Sequence, residues 1–254
     1  MKKCRSLSDE ERIHYYWALR SARTAAFADA ENYQQILFVI ERLGSHLLGE
    51  IKTLYKYQPC LKQLAEKSLY SHEVPKHKPS WHSSFDNLFE VIRDARNDAF
   101  HQGVIARHLT SNLVLLSLLL EDALMGGKRR KWADVMIRQV IVAQPWQPIS
   151  YVRQQMLTYS VTYLPIKLGE GWKLISDYEV AAYINRGSSS DRKTRLVESV
   201  EEASSKGLHL LDAKVCSPKN EIDTAVMREL DGKLIIIVDK NNNIVGVVSP
   251  FDIL

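Results

Sequence analysis

Apolar residues recur at intervals of three and four along residues 9–127, the period of one helix face, whereas beyond residue 131 they cluster in short runs of valine and isoleucine. The first half therefore reads as helices and the second as strands with short helices between them. Ser8 ahead of DEERI is placed to cap a first helix, with acids in the first turn where the helix dipole favours them. Ile36, Val39, Ile40, Leu43, Leu47 and Leu48 form a second stripe, which Pro59 is expected to close. Residues 76–80, between Pro75 and Pro79, read as a loop, and Phe85, Leu88, Phe89 and Ile92 as a third stripe that Gly103 ends. Thr110 or Ser111 is expected to cap a last helix, apolar nearly all round, that stops at Gly126-Gly127. A helix with no polar face belongs at the centre of a bundle or in a subunit interface. The pattern predicts an all-α bundle of four or five helices over residues 1–127.

In residues 128–254 the candidate strands are Val140 to Val142, Leu234 to Val238 and Ile244 to Val248. DKNNN at 239–243 is a tight turn, because Asn and Asp tolerate the left-handed backbone such turns need. This half also repeats itself. Pro148 to Val152 leads through a helix ending near Met156 to a strand at 161–166; Lys219 to Ile222 leads through a helix with Met227 to the strand at 234–238. Each arm closes on a strand and Ser-x-x-acid, Ser176 to Glu179 and Ser249 to Asp252. Such repetition implies paired modules packed on each other, and the fold class is multidomain, α followed by α/β.

Composition changes the picture little. With 45% hydrophobic and 25% charged residues, the 254-residue chain falls among globular proteins rather than disordered or fibrous ones. The apolar run Leu113 to Leu120 is shorter than the roughly 20 residues that span a bilayer, and MKKCRSLSDEER lacks a signal peptide's apolar core. The expectation is a cytoplasmic protein with no membrane partner. Cys4, Cys60 and Cys216 are far apart without a Cys-x-x-Cys pair, so three free thiols and no metal site are expected. The net charge of +4 is compatible with a nucleic-acid partner but does not require one.

WADVMIRQVIVAQPWQPI followed by VTYLPI resembles the opening of a CBS domain, and IIIVDKNNNIVGVVSPFDIL the end of one. Together they resemble a tandem CBS pair, or Bateman module, with repeats at about 132–184 and 208–254 and NRGSSSDRKTR as the connector. The resemblance implies a regulatory adenine nucleotide, ATP, ADP or AMP. Gly246-Val247-Val248-Ser249-Pro250-Phe251-Asp252 fits the family's ligand motif, a glycine, two apolar residues, Ser or Thr, then an acid or amide. The glycine permits close backbone approach, the hydroxyl of Ser249 can bond a phosphate and the carboxylate of Asp252 can take both ribose hydroxyls. In the first repeat Lys173 stands in the glycine's place and Glu179 in the acid's, so one ligand site is expected. A pair serving only for dimerisation, with Ser249-Pro-x-Asp252 as a helix cap, is the competing reading.

Arg96-Asn97-x-x-x-His101, on a helical bundle, resembles the HEPN family, whose members are often metal-independent endoribonucleases of toxin or defence type. The chemistry stands on the residues as well. A histidine near neutral pKa can take the proton of a ribose 2′-hydroxyl as it attacks the adjacent phosphate. Arginine's planar fork suits the charge developing on that phosphate, and Asn97 would hold the substrate or orient the imidazole. The products would be a 2′,3′-cyclic phosphate and a 5′-hydroxyl, with no catalytic cofactor. Five residues of helix turn through about 140°, so Arg96 and His101 do not share a face of a straight helix. Either the helix ends near Gly103, or a second subunit completes the site; the resemblance implies a homodimer. RNA is the implied substrate and an antitoxin or neutralising protein a further implied partner.

Alternatives stay open. Arg96, one turn after Ile92, can pair with a buried acid, and a histidine in a last helical turn is favoured by the dipole whatever its role. Glu41 and Glu50 are candidate supports for His101. Lys128 to Lys131 read as a basic linker that can also meet RNA backbone, His72, His77 and His82 as surface histidines, and Tyr15, Tyr16 and Trp17 as core rather than base-stacking residues; Arg107-His108 would widen a basic cleft. The competing functions are a non-catalytic dimeric nucleotide sensor and an RNA-binding regulator that does not cut.

Overall fold

The computed structural model describes residues 4–29, 32–98, 105–126, 130–223, 226 and 232–253. They fall into two compact units, Met1–Lys128 and Arg129–Leu254.

The first unit contains α1 (Asp9–Ala28), α2 (Tyr33–Leu48), α3 (Leu54–Ala65), α4 (Glu73–His77), α5 (Phe85–Asp98) and α6 (Ile105–Met125). Ser8 caps α1 through a reciprocal pair: its Oγ accepts from Glu11 N, and Glu11 accepts from Ser8 N at 2.8 Å. That backbone donor is the main reason the Glu11 carboxyl lies below its ordinary pKa. The face buried by α1 is Tyr15, Tyr16, Leu19, Ala22 and Ala26; that of α2 is Ile36, Val39, Ile40, Leu43, Gly44 and Leu47. Each large aliphatic among them contributes roughly 1.5–3 kcal/mol of burial. Tyr57 of α3 sits against Gly44 so closely that a Cβ there would lie 2.5 Å from the Tyr57 Cβ. Glycine is therefore the residue that lets α2 and α3 meet.

Four expectations are corrected here. Gly49, left-handed at φ 77°, ends α2, and Pro59 lies inside α3, where its exposed position leaves the carbonyl one turn back open to water. The loop at 76–80 begins later than expected, because Lys76 and His77 complete α4. The last helix starts at Ile105, so Thr110 and Ser111 are internal and cap nothing. Although apolar nearly all round, it is not buried on all sides: Leu109, Leu113, Leu116 and Leu120 are buried, whereas Leu115 and Leu118 are 49% and 44% exposed. Within α6, His108–Met125 is long and apolar enough to cross a membrane, with 61% of that window buried inside the protein. The helix packs chiefly on α1 and α5. At the α1 interface Arg23 makes two bonds to Glu121, 2.9 and 2.8 Å, and Ser117 Oγ donates to the same carboxylate at 2.9 Å.

The cysteine expectation is overturned for two of the three residues. Cys4 and Cys60 form a disulfide, and Cys216 is free. The chain ahead of α1 runs back along the end of α2, Arg5 N donating to Leu47 O at 2.8 Å, which brings Cys4 to α3. Sequence spacing carries no record of that return.

The second unit contains α7 (Trp132–Val135), α8 (Ile149–Tyr159), β1 (Tyr163–Leu168), β2 (Gly171–Ser176), α9 (Asp177–Ile184), α10 (Ser189–Val197), α11 (Val200–Ser205), β3 (Leu211–Asp212), β4 (Lys214–Cys216), β5 (Ile235–Val238), β6 (Ile244–Val248) and a single 3-10 turn, Pro250–Asp252. One sheet has the order β1-β2-β3, the other β4-β5-β6. Two crossing segments tie them together. Residues 137–143 pair first with β6, at Val247, and then in parallel with β1, at Ile166. Residues 211–216 pair first with β2, at Leu174, and then in parallel with β5. Each segment thus edges the other repeat's sheet before entering its own, an approximate two-fold arrangement. Val140 to Val142 accordingly form part of a crossing segment with isolated bridges, not a full strand, and the expected connector at 185–195 carries α10, capped by Ser188. Asn242 takes the left-handed turn conformation at φ 57°, while Asp239 Oδ1 accepts from Asn241 N and Asn243 N.

Candidate functional site

Strand register shows which residues of the two arms correspond. Lys173 pairs with Ile166 across β1 and β2, and Gly246 pairs with Ile237 across β5 and β6. From there each arm runs two apolar residues to its serine, Ser176 or Ser249, and on to its acid, Glu179 or Asp252. Each serine precedes a helical turn, but the two bond differently. Ser176 Oγ accepts from Glu179 N at the start of α9, and Ser249 begins the 3-10 turn, its N and Oγ both donating to Asp252 Oδ2 at 2.7 and 2.8 Å. Asp252 is buried, so the Ser249–Asp252 pair forms an internal cap. The two arms differ at the first position. Lys173 bonds Asp212 of the second crossing segment, whereas Gly246 admits Met136, whose Sδ would stand 2.7 Å from a Cβ. The glycine therefore makes room for a side chain of the protein itself, which the motif did not reveal.

A cavity of about 260 Å3 lies beside the first arm, lined by Gln139, Val140 and Ile141 of the crossing segment, Ser160 to Pro165, and Leu234 and Val247 of the second repeat. Both repeats contribute walls. Gly246, Ser249 and Asp252 do not line it. Nearby, Tyr183 Oη donates to Glu198, which also accepts from Lys206 Nζ at 2.8 Å. Burial, then that bond, pushes the Tyr183 hydroxyl up to about 12. The Glu198 carboxyl lies below its ordinary value, first because of Lys206 and then Tyr183.

In the helical unit, α5 carries Arg96 and Asn97 in its last turn; their side chains and the whole of His101 lie outside the described residues. A groove of about 790 Å3 runs between α1 and α2, floored by Ala18, Ser21 and Ala22, walled by Tyr33 to Val39 with Glu41, and closed by Leu109 of α6. Glu41 is thus a groove residue, whereas Glu50 lies 3.7 Å from Lys52. Tyr15 and Tyr16 are core residues, 7% exposed. His72 and His77 lie 3.7 and 3.8 Å from Glu73, His82 is exposed, and no metal-binding cluster occurs among the described residues. Of the basic run, Arg130 donates to Ile253 O at 3.1 Å and Lys131 bridges Glu221, so both are structural ties within the second unit. His108 is exposed on α6.

No family model matches the chain, and no curated protein matches it. Among solved structures, CBSX2 in complex with AMP matches with a TM-score of 0.38 at 17% identity, over 49% of this chain and 92% of that one. The CBS-pair protein CBSX2 from Arabidopsis thaliana matches with 0.38 at 15% identity, over 50% and 92%. The CBS domain pair of protein MJ0100, in complex with 5′-methylthioadenosine and S-adenosyl-L-methionine, matches with 0.38 at 16%, over 50% and 94%. The matched part is the C-terminal half. None of these likenesses transfers a ligand or an activity to this chain.

Proposed function

We propose that residues 129–254 form a CBS pair that binds an adenine nucleotide and that residues 1–128 are a homodimeric, metal-independent endoribonuclease of HEPN type under its control. The sensor reading is carried by the two-fold exchange of crossing segments, which builds a cavity with walls from both repeats. At about 260 Å3 it falls below the roughly 300–1,000 Å3 of typical small-molecule pockets, so it suits one end of a nucleotide with the phosphates outside. In the second arm a ribose would replace the Ser249 hydroxyl as partner of Asp252, which keeps the carboxylate satisfied in both states.

The nuclease reading rests on the sequence Arg96-Asn97-x-x-x-His101, whose first two residues lie in the last turn of α5. In this reading His101 takes the 2′-hydroxyl proton, Arg96 bears the phosphate's developing charge and Asn97 fixes the imidazole or the substrate. Nucleotide control requires that the ligand bind the active and inactive arrangements with different affinity.

The test is incubation of the full chain with total tRNA and mRNA in EDTA, with and without ATP or AMP, beside His101→Ala, Arg96→Ala and Asp252→Asn. Cleavage by wild type that leaves cyclic-phosphate ends and vanishes in the first two variants supports the nuclease. Loss of nucleotide response in Asp252→Asn supports a ligand site in the second arm, whereas an unchanged response points to the cavity beside the first arm. RNA bound intact assigns a regulator that does not cut, and inactivity of every form under all conditions assigns a non-catalytic sensor.

A further inference from the structure

Outside both candidate sites, a second cavity of about 260 Å3 lies in the helical unit between the chain ahead of α1, the end of α2 and α3. Its walls carry three cations, Arg5, Arg12 and Lys67, and the Cys4–Cys60 disulfide. Among the described residues, Arg5 alone of the three pairs with a carboxylate, 2.6 Å from Glu11. Arg12 is 7% exposed, and Nη2 donates to the α6 carbonyls of Ala123 and Gly126 at 3.1 and 3.4 Å; these acceptors are neutral, and its other nitrogens have no partner among the described residues. Lys67 is exposed, and its Nζ makes no hydrogen bond or ion pair with the described residues.

Burial lowers the Arg12 pKa, and burial followed by the charge of Arg12 lowers that of Lys67. Two like charges line this space, and no carboxylate among the described residues pairs with either. Charge-assisted bonds to an oxyanion would satisfy both, and arginine's fork suits phosphate geometry. The cavity is too small for a drug-sized molecule.

We infer that this cavity binds a small phosphate-bearing anion between Arg12 and Lys67, with Arg5 closing it from above, and that the Cys4–Cys60 disulfide holds that wall in place. Residues 4–7 are fixed by the disulfide, the Arg5 N to Leu47 O bond and the Arg5–Glu11 ion pair before Ser8 enters the α1 cap. Without the covalent tie, the segment is held by one backbone bond and an exposed ion pair.

Calorimetric titration of the full chain with inorganic phosphate and with pyrophosphate, at constant ionic strength and with chloride as control, tests the inference. Wild type should bind at least one of them, and Lys67→Gln should weaken binding about tenfold, the loss expected for one hydrogen bond to a charged group. Cys4→Ser, and separately Arg5→Gln with the disulfide intact, should weaken it as well, with unchanged far-ultraviolet circular dichroism showing that the helices persist. Absence of binding, or binding that Lys67→Gln leaves unchanged, overturns the site. Binding that survives both Cys4→Ser and Arg5→Gln overturns the role of the strap.

Discussion

Gly246 and Met136 approach so closely that a Cβ on the glycine would meet Met136 Sδ at 2.7 Å, Cγ at 2.8 Å and Cβ at 2.9 Å. The contact joins β6 to the start of the first crossing segment, one residue before Ile137 pairs with Val247. A position that the sequence motif marks for ligand approach is also a packing position, and its two roles can be separated by mutation.

Gly246→Ala should destabilise the chain by about 1–3 kcal/mol through overpacking, which is roughly 2–4 °C of melting temperature per kcal/mol at this size. In a Met136→Gly background the same change should cost much less, since Sδ, Cγ and Cβ are then all absent. Equal losses in the two backgrounds, read from urea unfolding curves, would show that the contact does not set the cost.

Glu121→Gln should be costly because it leaves the Arg23 guanidinium, 18% exposed, facing a neutral partner in the α1–α6 interface. Removing one member of a buried pair costs about 3–5 kcal/mol, while replacing both by apolar residues is often close to neutral. The measurement is a double-mutant cycle with Arg23→Met; a double variant no more stable than Glu121→Gln alone contradicts this account.

Stability should fall between about pH 10 and 12 in a way that Tyr183→Phe removes. Tyr183 holds its proton up to about 12 in the folded chain, whereas the unfolded tyrosine ionises near its ordinary value of 10.0. Its contribution is therefore full below pH 10 and is lost as pH rises through the folded value, by on the order of 2 kcal/mol. Glu198 acts at the other end: its lowered pKa stabilises the fold above the ordinary value of 4.5 and that gain is lost as pH falls through the folded value. Parallel wild-type and Tyr183→Phe curves from pH 9 to 12 would sink the alkaline prediction.

Reduction by a dithiol should lower the melting temperature, because the Cys4–Cys60 bond closes a separation of 56 residues. The chain-entropy model assigns such a loop roughly 4 kcal/mol. Differential scanning calorimetry with and without reductant reads this directly, and Cys4→Ser should make the protein insensitive to it.

Much of the helical unit was legible because a buried helix face repeats every three or four residues wherever it packs. Ile36, Val39, Ile40, Leu43 and Leu47, and Phe85, Leu88, Phe89 and Ile92, are buried as their spacing implied, and Leu48 is half-buried. Boundaries were less legible. Pro59 is tolerated inside α3 because its position is exposed, and Thr110 lies within α6 because the apolar pattern began at Ile105. In the second unit, the paired Ser-x-x-acid ends were visible because a cap is local chemistry between residues three apart. The cavity was not, since it joins residues 139–165 to Leu234 and Val247.

The sequence by itself determined the order of helical and α/β halves, the repeat, the turn at Asn242 and the candidate residues Arg96, Asn97, His101, Gly246, Ser249 and Asp252. Periodicity and capping act over a few residues and leave their mark in the local order. Only the tertiary structure decided that Cys4 meets Cys60, that Met136 fills the space above Gly246, that Arg12 and Lys67 share a cavity, and that each crossing segment edges the other repeat's sheet. Those pairings join residues tens to more than a hundred positions apart, and they follow from how whole elements close on one another.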